Sequence, residues 1–276
     1  MEQTSTIDKL RENLRLQQVY NVFLRYGLDI AFERFPTVAA LRQSMQRWVW
    51  NLPENMESPS LPVKVRLMIE ELGPTYVKVG QIVSSQASVI PAEWEEQLAK
   101  LQSNVPPFPS DQVREIIIDQ LGAPPEELYA AFDPVAFAAA STAQVHRATL
   151  HDGTEVVVKV QRPNIRNQMK ADVGIMRNAA RVLSNRFQAL RAIDLRGMVD
   201  EFGNNAIREL DYTGEAYNAY RLTQNMASIP GVHIPKIYPE LSSDRILTME
   251  FIRGVKISNL EAIDAAGLDR AVLARN

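Results

Sequence analysis

Hydrophobic and polar positions change their period near residue 133 of this chain. Before that point the apolar residues recur with helical spacing between Pro and Gly breakers, which predicts helices at residues 62–72, 74 to about 88, 91–102 and 110–121. After it, short apolar runs between turn residues predict antiparallel strands at residues 135–141, 142–150 and 155–161. The pattern therefore indicates an α+β fold whose helices begin before the sheet.

The remaining pattern adds further helices and one more strand. Residues 171–188, 195 to about 226 and 259–276 are predicted helices, the last with no obvious cap, and residues 245–252 are a predicted strand. Residues 1 to about 51 are predicted to be helical, and residues 52–60 form a linker rich in helix breakers. Ser110 and Asp111 are the predicted cap of a helix that Gly122 ends.

An Asp-Gly pair joins the second and third of the predicted strands. Asp152 and Gly153 predict a hairpin with a type I′ turn, because both central positions of that turn need positive φ. Lys159 lies in the returning strand directly after three valines. We expect the sheet to hold its ammonium group in place; the alternative is an exposed edge lysine whose stem only covers apolar surface.

A polar stripe runs along the helix predicted at residues 74 to about 88. Lys78, Gln81 and Ser85 share one face of that helix, whereas its apolar residues fall on another side. The helix therefore offers one packing face and one face suited to polar contacts.

Three carboxylates fall close together in the long helical segment, at Glu209, Asp211 and Glu215. On a continuous helix Asp211 and Glu215 would be i, i+4 neighbours with repelling charges, so a cation should lie opposite them. Apolar neighbours indicate partial burial, and buried carboxylates need such a partner. Lys159 is the predicted partner of Glu215; the alternative is an ordinary solvated acidic face.

Composition narrows the classes of function. The chain has 276 residues, 46% hydrophobic and 23% charged, with a net charge of -3, which is typical of globular proteins and gives no sign of nucleic-acid binding. It contains no cysteine and only three scattered histidines, which excludes disulfides and thiolate chemistry and argues against a zinc site. No signal peptide and no apolar run long enough to span a bilayer is apparent, so we expect an intracellular protein.

Aromatic residues concentrate near the N-terminus, between Tyr20 and Trp50, where arginines including Arg25 interrupt them. Helices that lie on a membrane surface combine aromatic rings with cations in this way. An amphipathic helix packed against the rest of the protein gives the same pattern. Both interpretations stay open at this point.

Five motifs, taken in order, resemble the signatures of one family. They are Glu71-Leu72-Gly73-Pro74-Thr75-Tyr76 with Lys78-Val79-Gly80-Gln81, Ala138-Ala139-Ala140-Ser141-Thr142-Ala143-Gln144-Val145-His146, Val158-Lys159, Glu209-Leu210-Asp211-Tyr212 with Glu215-Ala216, and Met249-Glu250-Phe251-Ile252-Arg253-Gly254. In this order, between residues 63 and 257, they resemble the UbiB (AarF/ADCK) family of atypical protein-kinase-like proteins. The order is specific, whereas a single motif would be a chance match, and it disfavours an unrelated helical regulatory protein.

The resemblance implies a division of the chain. Residues 132–257 would form a protein-kinase-like N-lobe, a small antiparallel sheet with an αC-type helix. Residues 61–131 would form a mainly helical, family-specific extension folded over the nucleotide site. Residues 1–60 would be an amphipathic helical region with a linker, and residues 258–276 the start of a C-lobe that is otherwise absent.

The resemblance also implies a site for ATP or ADP. Lys159 would bind the α- and β-phosphates and pair with Glu215, as the corresponding groups do in protein kinases. Met249 would be the gatekeeper, with the Glu250 carbonyl and the Ile252 amide facing the adenine. The loop over the phosphates would be stiffer than a glycine loop, because it consists of Ala138, Ala139, Ala140 and Ser141.

Four further residues would form the catalytic group by the same resemblance. Lys78 and Gln81 would project into the space where an ordinary kinase admits a peptide, with Glu209 and Asp211 as polar partners of the lysine. Such an arrangement would restrict access for protein substrates and favour a small molecule or a lipid.

Parts of the kinase machinery are missing from the sequence. No histidine has aspartate two positions on, and no Asp-Phe-Gly occurs. Asp172-Val173-Gly174 is similar to the latter motif but precedes Glu215. The Mg²⁺ expected for the family would therefore lack its ligands here, and we expect little or no phosphoryl transfer by this polypeptide alone.

Two functions follow as expectations. The first is an ATP-binding atypical kinase-like protein, an ATPase or small-molecule or lipid kinase linked to isoprenoid-quinone or related lipid metabolism and incomplete as given. The alternative is a catalytically inactive pseudokinase fragment or a membrane-associated scaffold. The expected partners are a nucleotide, an isoprenoid lipid or quinone precursor, and a membrane surface, with a location in the cytoplasm or on the cytoplasmic face of the membrane.

Overall fold

The computed structural model describes residues 6–32, 59–85, 90–102 and 106–274. The helices before the sheet are α1 (Thr6–Phe32), α2 (Leu61–Leu72), α3 (Pro74–Ser84), α4 (Ala92–Ala99) with a 3-10 turn at Lys100–Gln102, α5 (Ser110–Leu121) and α6 (Pro125–Leu128). The strands are β1 (Ala131–Phe132), β2 (Ala138–Ala139), β3 (Ala143–Thr149), β4 (Glu155–Gln161) and β5 (Ile246–Glu250). Between β4 and β5 lie α7 (Ile165–Arg186), α8 (Gln188–Ala192), α9 (Leu195–Arg208), α10 (Tyr212–Met226) and a 3-10 turn at Pro239–Leu241, and after β5 come α11 (Leu260–Ala265) and α12 (Arg270–Leu273).

The sheet is antiparallel, with the strands in the order β1-β3-β4-β5 and β2 also paired with β3. The hairpin predicted between β3 and β4 is confirmed, but the type I′ turn is wrong, because Gly153 has φ +87° while Asp152 stays outside the positive region. The Leu150 N–H donates to the Thr154 carbonyl at 2.9 Å, which closes a three-residue loop with a left-handed glycine. The small antiparallel sheet and its helical surroundings agree with the α+β fold predicted from the sequence.

The strand predicted at residues 135–141 is much shorter in the structure, where only Ala138–Ala139 pairs with β3. The Asp133 carboxylate accepts a hydrogen bond from the Val135 N–H at 2.9 Å, which turns the backbone just after β1. Strand β1 itself was not predicted, because two residues carry too little periodicity to be recognised.

Two helix starts differ from the predictions for local reasons, whereas one predicted helix end is confirmed. Helix α7 begins at Ile165, directly after Asn164 in the left-handed region (φ +61°), and not at residue 171. Ser110 is the first residue of α5, and its cap position is Pro109 without a side-chain hydrogen bond. Gly122 ends α5 as predicted, with φ +80°.

The segment predicted as one helix at residues 259–276 forms two short helices where it is described. The Asn259 side chain caps α11 by accepting from the Ala262 N–H, and the Asp269 side chain caps α12. Gly267 separates the two helices in the left-handed conformation. Two side-chain caps and a helix-ending glycine therefore lie in a segment that was predicted to be a single helix with no obvious cap.

One face of the sheet forms the largest core. Val156, Val158 and Val160 of β4 pack there with Ile117 of α5 and with Tyr129. The Tyr129 hydroxyl lies 2.9 Å from Thr248 Oγ1, and burial raises the pKa of this tyrosine to about 12. Because side chains alternate along a strand, the opposite face of β4 is left for other contacts.

The predicted N-terminal aromatic segment is described only in part. Trp48, Trp50 and the rest of residues 33–58 lie outside the described residues, as do residues 86–89 at the end of the helix predicted after Pro74. Within α1, Val19, Val22 and Tyr26 pack against α2 and α3. This face of α1 therefore follows the packed interpretation rather than the membrane one.

A buried carboxylate holds α1 and α3 against α7. Asp172 of α7 has no exposed surface and accepts hydrogen bonds from Arg15 Nε and Thr75 Oγ1, both at 2.7 Å. Arg15 also donates to the Leu72 carbonyl, the last residue of α2. Asp172 therefore joins these helices. The run Asp172-Val173-Gly174, which is similar to a metal-binding motif, thus has a structural role.

Replacing Asp172 by Asn should destabilise the fold strongly, because the Arg15 guanidinium would stay in place without its counter-charge. We expect a loss of about 3–5 kcal/mol in the free energy of unfolding, measured by urea denaturation. Asp200→Asn is the matched control, since Asp200 pairs with Arg177 in an exposed setting, and it should cost less than about 1 kcal/mol. Equal losses in the two variants would contradict the assigned role.

Stability should also depend on pH through His146 of β3, which is fully buried. Burial lowers its pKa from the ordinary 6.5, and its Nδ1 lies 2.8 Å from the Asp133 carbonyl. Below pH 6.5 the unfolded chain then binds more protons than the folded one, so the free energy of unfolding falls as pH decreases through that window. The slope should approach about 1.4 kcal/mol per pH unit.

Urea denaturation between pH 7.5 and 5 measures this slope. Ordinary carboxylates titrate near roughly pH 4, so they contribute little to the slope in this range. His146→Gln should flatten the slope even if it lowers the overall stability. His151→Gln, which removes an exposed imidazole, should leave the slope unchanged. A wild-type slope retained in His146→Gln would refute the assignment.

Candidate nucleotide site

The second face of the sheet is apolar and partly open. The strand register places Val145 opposite Lys159 and Val157 opposite Met249. These four side chains share a face and are each partly exposed, whereas Val158, on the opposite face, is fully buried. The structure thus combines an apolar surface with one lysine. We refer to the end of this face at Lys159 as the inner end and to the opposite end as the outer end.

Lys159 reaches from this face to helix α10. Its Nζ lies 2.7 Å from Glu215 Oε2, a pair that joins residues 56 positions apart, as predicted. The same ammonium lies 4.4 Å from the centre of the buried Tyr212 ring. An aromatic face attracts a cation, so Tyr212 adds a second contact that fixes the position of the ammonium.

The helix predicted from residue 195 to about 226 is broken at residues 209–211, between α9 and α10. Gln161 Nε2 and Arg166 donate to the Leu210 carbonyl at 2.7 and 3.0 Å, which satisfies a group that a continuous helix would use internally. Asp211 has extended backbone angles and caps α10 by accepting from the Thr213 N–H. We refer to residues 209–212 as the carboxylate corner.

The predicted roles of Asp211 are corrected by this geometry. Asp211 precedes α10, so it is not a helical i, i+4 neighbour of Glu215, and it does not pair with Lys78. The Thr213 hydroxyl donates to Asp211 at 2.6 Å, and this hydrogen bond lowers the pKa of the aspartate. Asp211 is therefore an ionised helix cap that orients the first turn of α10.

Helix α3 brings the second lysine to the same corner. Lys78 Nζ forms an ion pair with Glu209 Oε2. Gln81 does not accompany it, because its Nε2 donates to the Leu101 carbonyl at 3.2 Å. A Cβ on Gly80 would lie 2.4 Å from Leu101 Cδ1, so the glycine allows α3 to approach the 3-10 turn at Lys100–Gln102. Of the Lys-x-Gly-Gln motif, the lysine reaches the corner while the other two residues hold the extension together.

The ion pairs of these two lysines contribute little to the stability of the fold. The side chains of Lys159 and Glu215 are 23% and 43% exposed, and those of Lys78 and Glu209 are 20% and 53% exposed. Ion pairs with this much solvent contribute about 0–1 kcal/mol. Both ammonium groups therefore stay accessible to an anionic ligand that competes with the glutamates.

The alanine loop begins in β2, which consists of Ala138 and Ala139, and its turn is closed by a backbone hydrogen bond. The Ala140 N–H donates to the Ala143 carbonyl at 2.8 Å, and Ser141 lies in the turn between them. Arg162 Nε donates to the Ala140 carbonyl at 3.0 Å, and another nitrogen of Arg162 donates to the Pro106 carbonyl at 2.6 Å. Arg162 thus fastens the loop of Ala138, Ala139, Ala140 and Ser141 to the segment that precedes α5.

The predicted adenine-facing residues lie at the end of β5 and just after it. Glu250 ends β5, and its N–H donates to the Lys236 carbonyl at 2.8 Å. Hydrogen bonds from the Lys236 N–H and from His233 lower the pKa of the Glu250 carboxyl. Ile252 is 45% exposed beyond the strand, and Met249 contacts the cluster that contains Tyr212 and Leu247.

An aromatic and cationic stack at the outer end of this face was missed by sequence reasoning. The Arg147 guanidinium carbon lies 4.4 Å from the centre of the Phe137 ring and 4.7 Å from that of Phe251. The two rings meet edge to face at 5.8 Å. A signal existed, since Arg147 follows Val145 by two positions and so shares its face, but the position of Phe137 depends on the shortened β2.

No group of three or more metal-binding side chains converges within the part of the chain that the structure describes. The arrangement therefore offers two lysines, several backbone groups and an apolar face. Those groups suit a ligand with a flat ring and an anionic end.

Comparison with known families gives a match over most of the chain. Residues 100–276 match the family model of the ABC1 atypical kinase-like domain. A solved structure of Rv3197 with erythromycin from Mycobacterium tuberculosis is 29% identical, covers 71% of this chain and 49% of that chain, and has a TM-score of 0.45.

Several curated proteins are also similar. A protein named probable protein kinase UbiB from Marinobacter nauticus is 38% identical over 94% of this chain and 48% of its own length, and one of the same name from Actinobacillus pleuropneumoniae is 37% identical over the same shares. The uncharacterized protein sll1770 of Synechocystis is 41% identical over 76% of this chain and 36% of its own length. The chain thus spans half or less of the length of these relatives.

Arg162→Met should loosen both segments that this arginine holds. Hydrogen exchange at the Ala140 and Phe108 amides should become faster by roughly tenfold or more, because each lost hydrogen bond to the guanidinium contributes about 1.5–3 kcal/mol. Arg162→Lys should restore part of the protection, since an ammonium can still donate to one of the two carbonyls. Arg114→Met, which removes an exposed arginine of α5, is the control. Unchanged exchange in Arg162→Met would show that the loop is held by other contacts.

Proposed function

This chain belongs to the ABC1 atypical kinase-like family, and on that premise we propose that it binds ATP or ADP on the open face of its sheet. The observation that supports the proposal most is the Lys159–Glu215 pair beside an apolar face that holds Val145, Val157 and Met249. The motifs that resemble UbiB proteins point to the same residues.

In this proposal the adenine lies on the apolar face. Val145 and Val157 cover one side of the ring, and Met249 sets the depth of the pocket beside them. The Glu250 carbonyl and the Ile252 N–H supply hydrogen bonds to the adenine edge. Phe137, which is 51% exposed, closes the outer end. A flat apolar ligand of this kind removes exposed hydrophobic surface from water.

The phosphates extend toward the inner end of the face. Lys159 donates to the α- and β-phosphate oxygens, and Glu215 and Tyr212 keep the ammonium oriented toward them. The alanine loop lies over the phosphates and is held there by Arg162. Methyl groups and a closed turn leave less room than a glycine loop, so this site should bind a nucleotide with its own geometry.

The second lysine marks the acceptor side of the proposed site. Lys78 on α3 faces Glu209 across the carboxylate corner, in the region where protein kinases receive a peptide. The corner and α3 restrict this region, which favours a small molecule or a lipid over a protein substrate. Three contacts support this side. Gln81 bonds to Leu101, Glu209 pairs with Lys78, and Asp211 caps the start of α10.

The activity that we propose for the protein is that of an atypical kinase or ATPase linked to isoprenoid-quinone or related lipid metabolism. Its partners would be the nucleotide and an isoprenoid lipid or quinone precursor. Mg²⁺, when bound to the nucleotide, neutralises phosphate charge during such transfer. The described residues of this chain bind and orient the nucleotide, and they contribute no cluster of metal ligands.

A second candidate is a catalytically inactive pseudokinase or scaffold. It is supported by the Lys159–Glu215 pair, which can hold a nucleotide whether or not phosphoryl transfer follows. The two candidates share the nucleotide site and differ in turnover. ATP hydrolysis that requires Mg²⁺ and is lost in Lys159→Ala would favour the enzyme, and binding without hydrolysis would favour the scaffold.

We also propose that the protein resides in the cytoplasm or peripherally on the cytoplasmic face of a membrane. Within the described residues no helix is both long enough and apolar enough to cross a bilayer. Helix α1 exposes Leu16, Tyr20 and Phe23, which is a surface suited to the boundary of a bilayer.

Nucleotide binding should raise the unfolding temperature of the wild-type chain, because a ligand at about 100 times its Kd stabilises the folded state by about 2.7 kcal/mol. Lys159→Ala should weaken binding of ADP by roughly tenfold or more, since it removes a charged hydrogen-bond donor worth about 1.5–3 kcal/mol. Lys78→Ala should keep most of the binding, because Lys78 lies on the acceptor side. A thermal shift titration with ADP and ATP measures both variants.

Lys100→Ala serves as the control for a lost exposed lysine, since Lys100 forms a surface ion pair with Glu96 of α4. It should show the same nucleotide-dependent shift as the wild type. The proposal fails if Lys159→Ala retains the full shift, or if the wild-type chain shows none with either nucleotide.

A further inference from the structure

The helical corner at residues 181–198 exposes an unusual number of large apolar side chains. This corner comprises the end of α7, the five-residue helix α8 and the start of α9. Its exposed apolar side chains, between 40% and 67% accessible, are Val182, Leu183, Phe187, Ile193 and Met198. These five residues lie within 17 consecutive positions of the chain, on or between the helices that the five-residue α8 joins. Concentrated apolar exposure of this kind marks an interaction surface.

The same corner carries a strong positive charge. It contains Arg181, Arg186, Arg191 and Arg196, and its single acidic residue is Asp194. The Asp194 carboxylate caps α9 by accepting from the Gly197 N–H. The corner is thus cationic in a chain whose net charge is -3. A partner that satisfies both properties must combine negative charge with an apolar interior.

A cavity of about 370 Å³ opens between these helices. It is lined by Ser184, Asn185, Arg191, Asp194, Leu195 and Arg196. Ser184 is 2% exposed, and its hydroxyl has no hydrogen-bond partner among the residues that the structure describes. A buried hydroxyl without a partner is unfavourable, so this group indicates a ligand that supplies the missing hydrogen bond.

The two arginines of the cavity are already oriented by backbone groups. Arg191 Nε donates to the Ser184 carbonyl at 3.2 Å, and Arg196 donates to the Arg181 carbonyl at 3.3 Å and to Asn185. A guanidinium carries five N–H donors, so each arginine keeps donors for a further acceptor. Phosphate oxygens match this donor geometry well.

We propose that the corner at residues 181–198 is a docking surface for an anionic lipid bilayer. The Arg191 and Arg196 side chains, with the Ser184 hydroxyl, bind the phosphate of a lipid headgroup in the cavity. Phe187 and Ile193 insert at the boundary between headgroups and acyl chains. This inference extends the peripheral location proposed above and does not depend on nucleotide binding.

Vesicle flotation of the full chain tests the proposal. The wild type should float with vesicles of phosphatidylcholine mixed with phosphatidylglycerol, and much less with phosphatidylcholine alone. Arg191→Gln combined with Arg196→Gln should weaken binding to the anionic vesicles by roughly 25-fold, since each arginine near such a surface contributes about fivefold. Phe187→Ser combined with Ile193→Ser should weaken binding to a comparable extent.

Two control variants match these changes elsewhere on the chain. Arg114→Gln combined with Arg270→Gln removes the same charge from exposed arginines and should leave the binding near that of the wild type. Leu16→Ser combined with Tyr20→Ser removes apolar surface from α1 and should weaken the binding to anionic vesicles less than the corner variants do. Arg191→Lys combined with Arg196→Lys should recover most of the affinity, because the charge is kept.

Three results would overturn the proposal. They are equal binding to neutral and anionic vesicles, corner variants that bind as well as the matched controls, and binding of inorganic phosphate to the cavity without any flotation. The corner variants should unfold at the same urea concentration as the wild type, which shows that they are folded. A wild-type chain that floats as expected but shows no nucleotide shift would refute the nucleotide proposal and leave this one standing.

Discussion

The contact between the Lys159 ammonium and the Glu215 carboxylate joins a strand to a helix that follows it 56 positions later. The sheet alone would leave this lysine on an open apolar face, and α10 alone would leave the glutamate in solvent. Their contact depends on the break at the carboxylate corner, because only that break directs the first turn of α10 toward β4. The site proposed above for a nucleotide therefore depends on how the Leu210 carbonyl is satisfied by Gln161 and Arg166.

The helices that precede the sheet are attached by cations that bind to oxygen atoms of distant segments. Arg15 reaches Asp172, Lys78 reaches Glu209, and Arg162 reaches two backbone carbonyls. These contacts differ in burial, and their contributions differ accordingly. The Arg15–Asp172 pair is sequestered and contributes to stability, whereas the Lys78–Glu209 pair is solvated and mainly sets position.

The sequence was a good guide wherever a residue type alone determines the local structure. The hairpin at Asp152-Gly153 and the stop at Gly122 were predicted because glycine adopts positive φ without strain, and the family motifs indicated the kinase-like fold. The partner of Lys159 was also predicted, since a carboxylate cluster on an apolar helix needs a cation.

Other features could not be predicted, for physical reasons. Asp211 has the helical spacing of a repelling neighbour, and only the extended backbone at that position turns it into a cap. Arg162 was missed because its acceptors are backbone carbonyls, which leave no mark in a sequence. Asp172 was noticed for a similarity to a metal motif, but its burial by α1 and α3 depends on tertiary packing.

The carboxylate corner has one consequence for how the two lysine contacts relate. Glu209 lies in the joint between α9 and α10, and Glu215 lies in the first turn of α10, so a displacement of the joint would alter both contacts together. Any coupling that such a joint transmits between the two positions is reciprocal. If the nucleotide proposed above binds at Lys159 and a second ligand binds beside Lys78, each then changes the affinity of the other by the same factor.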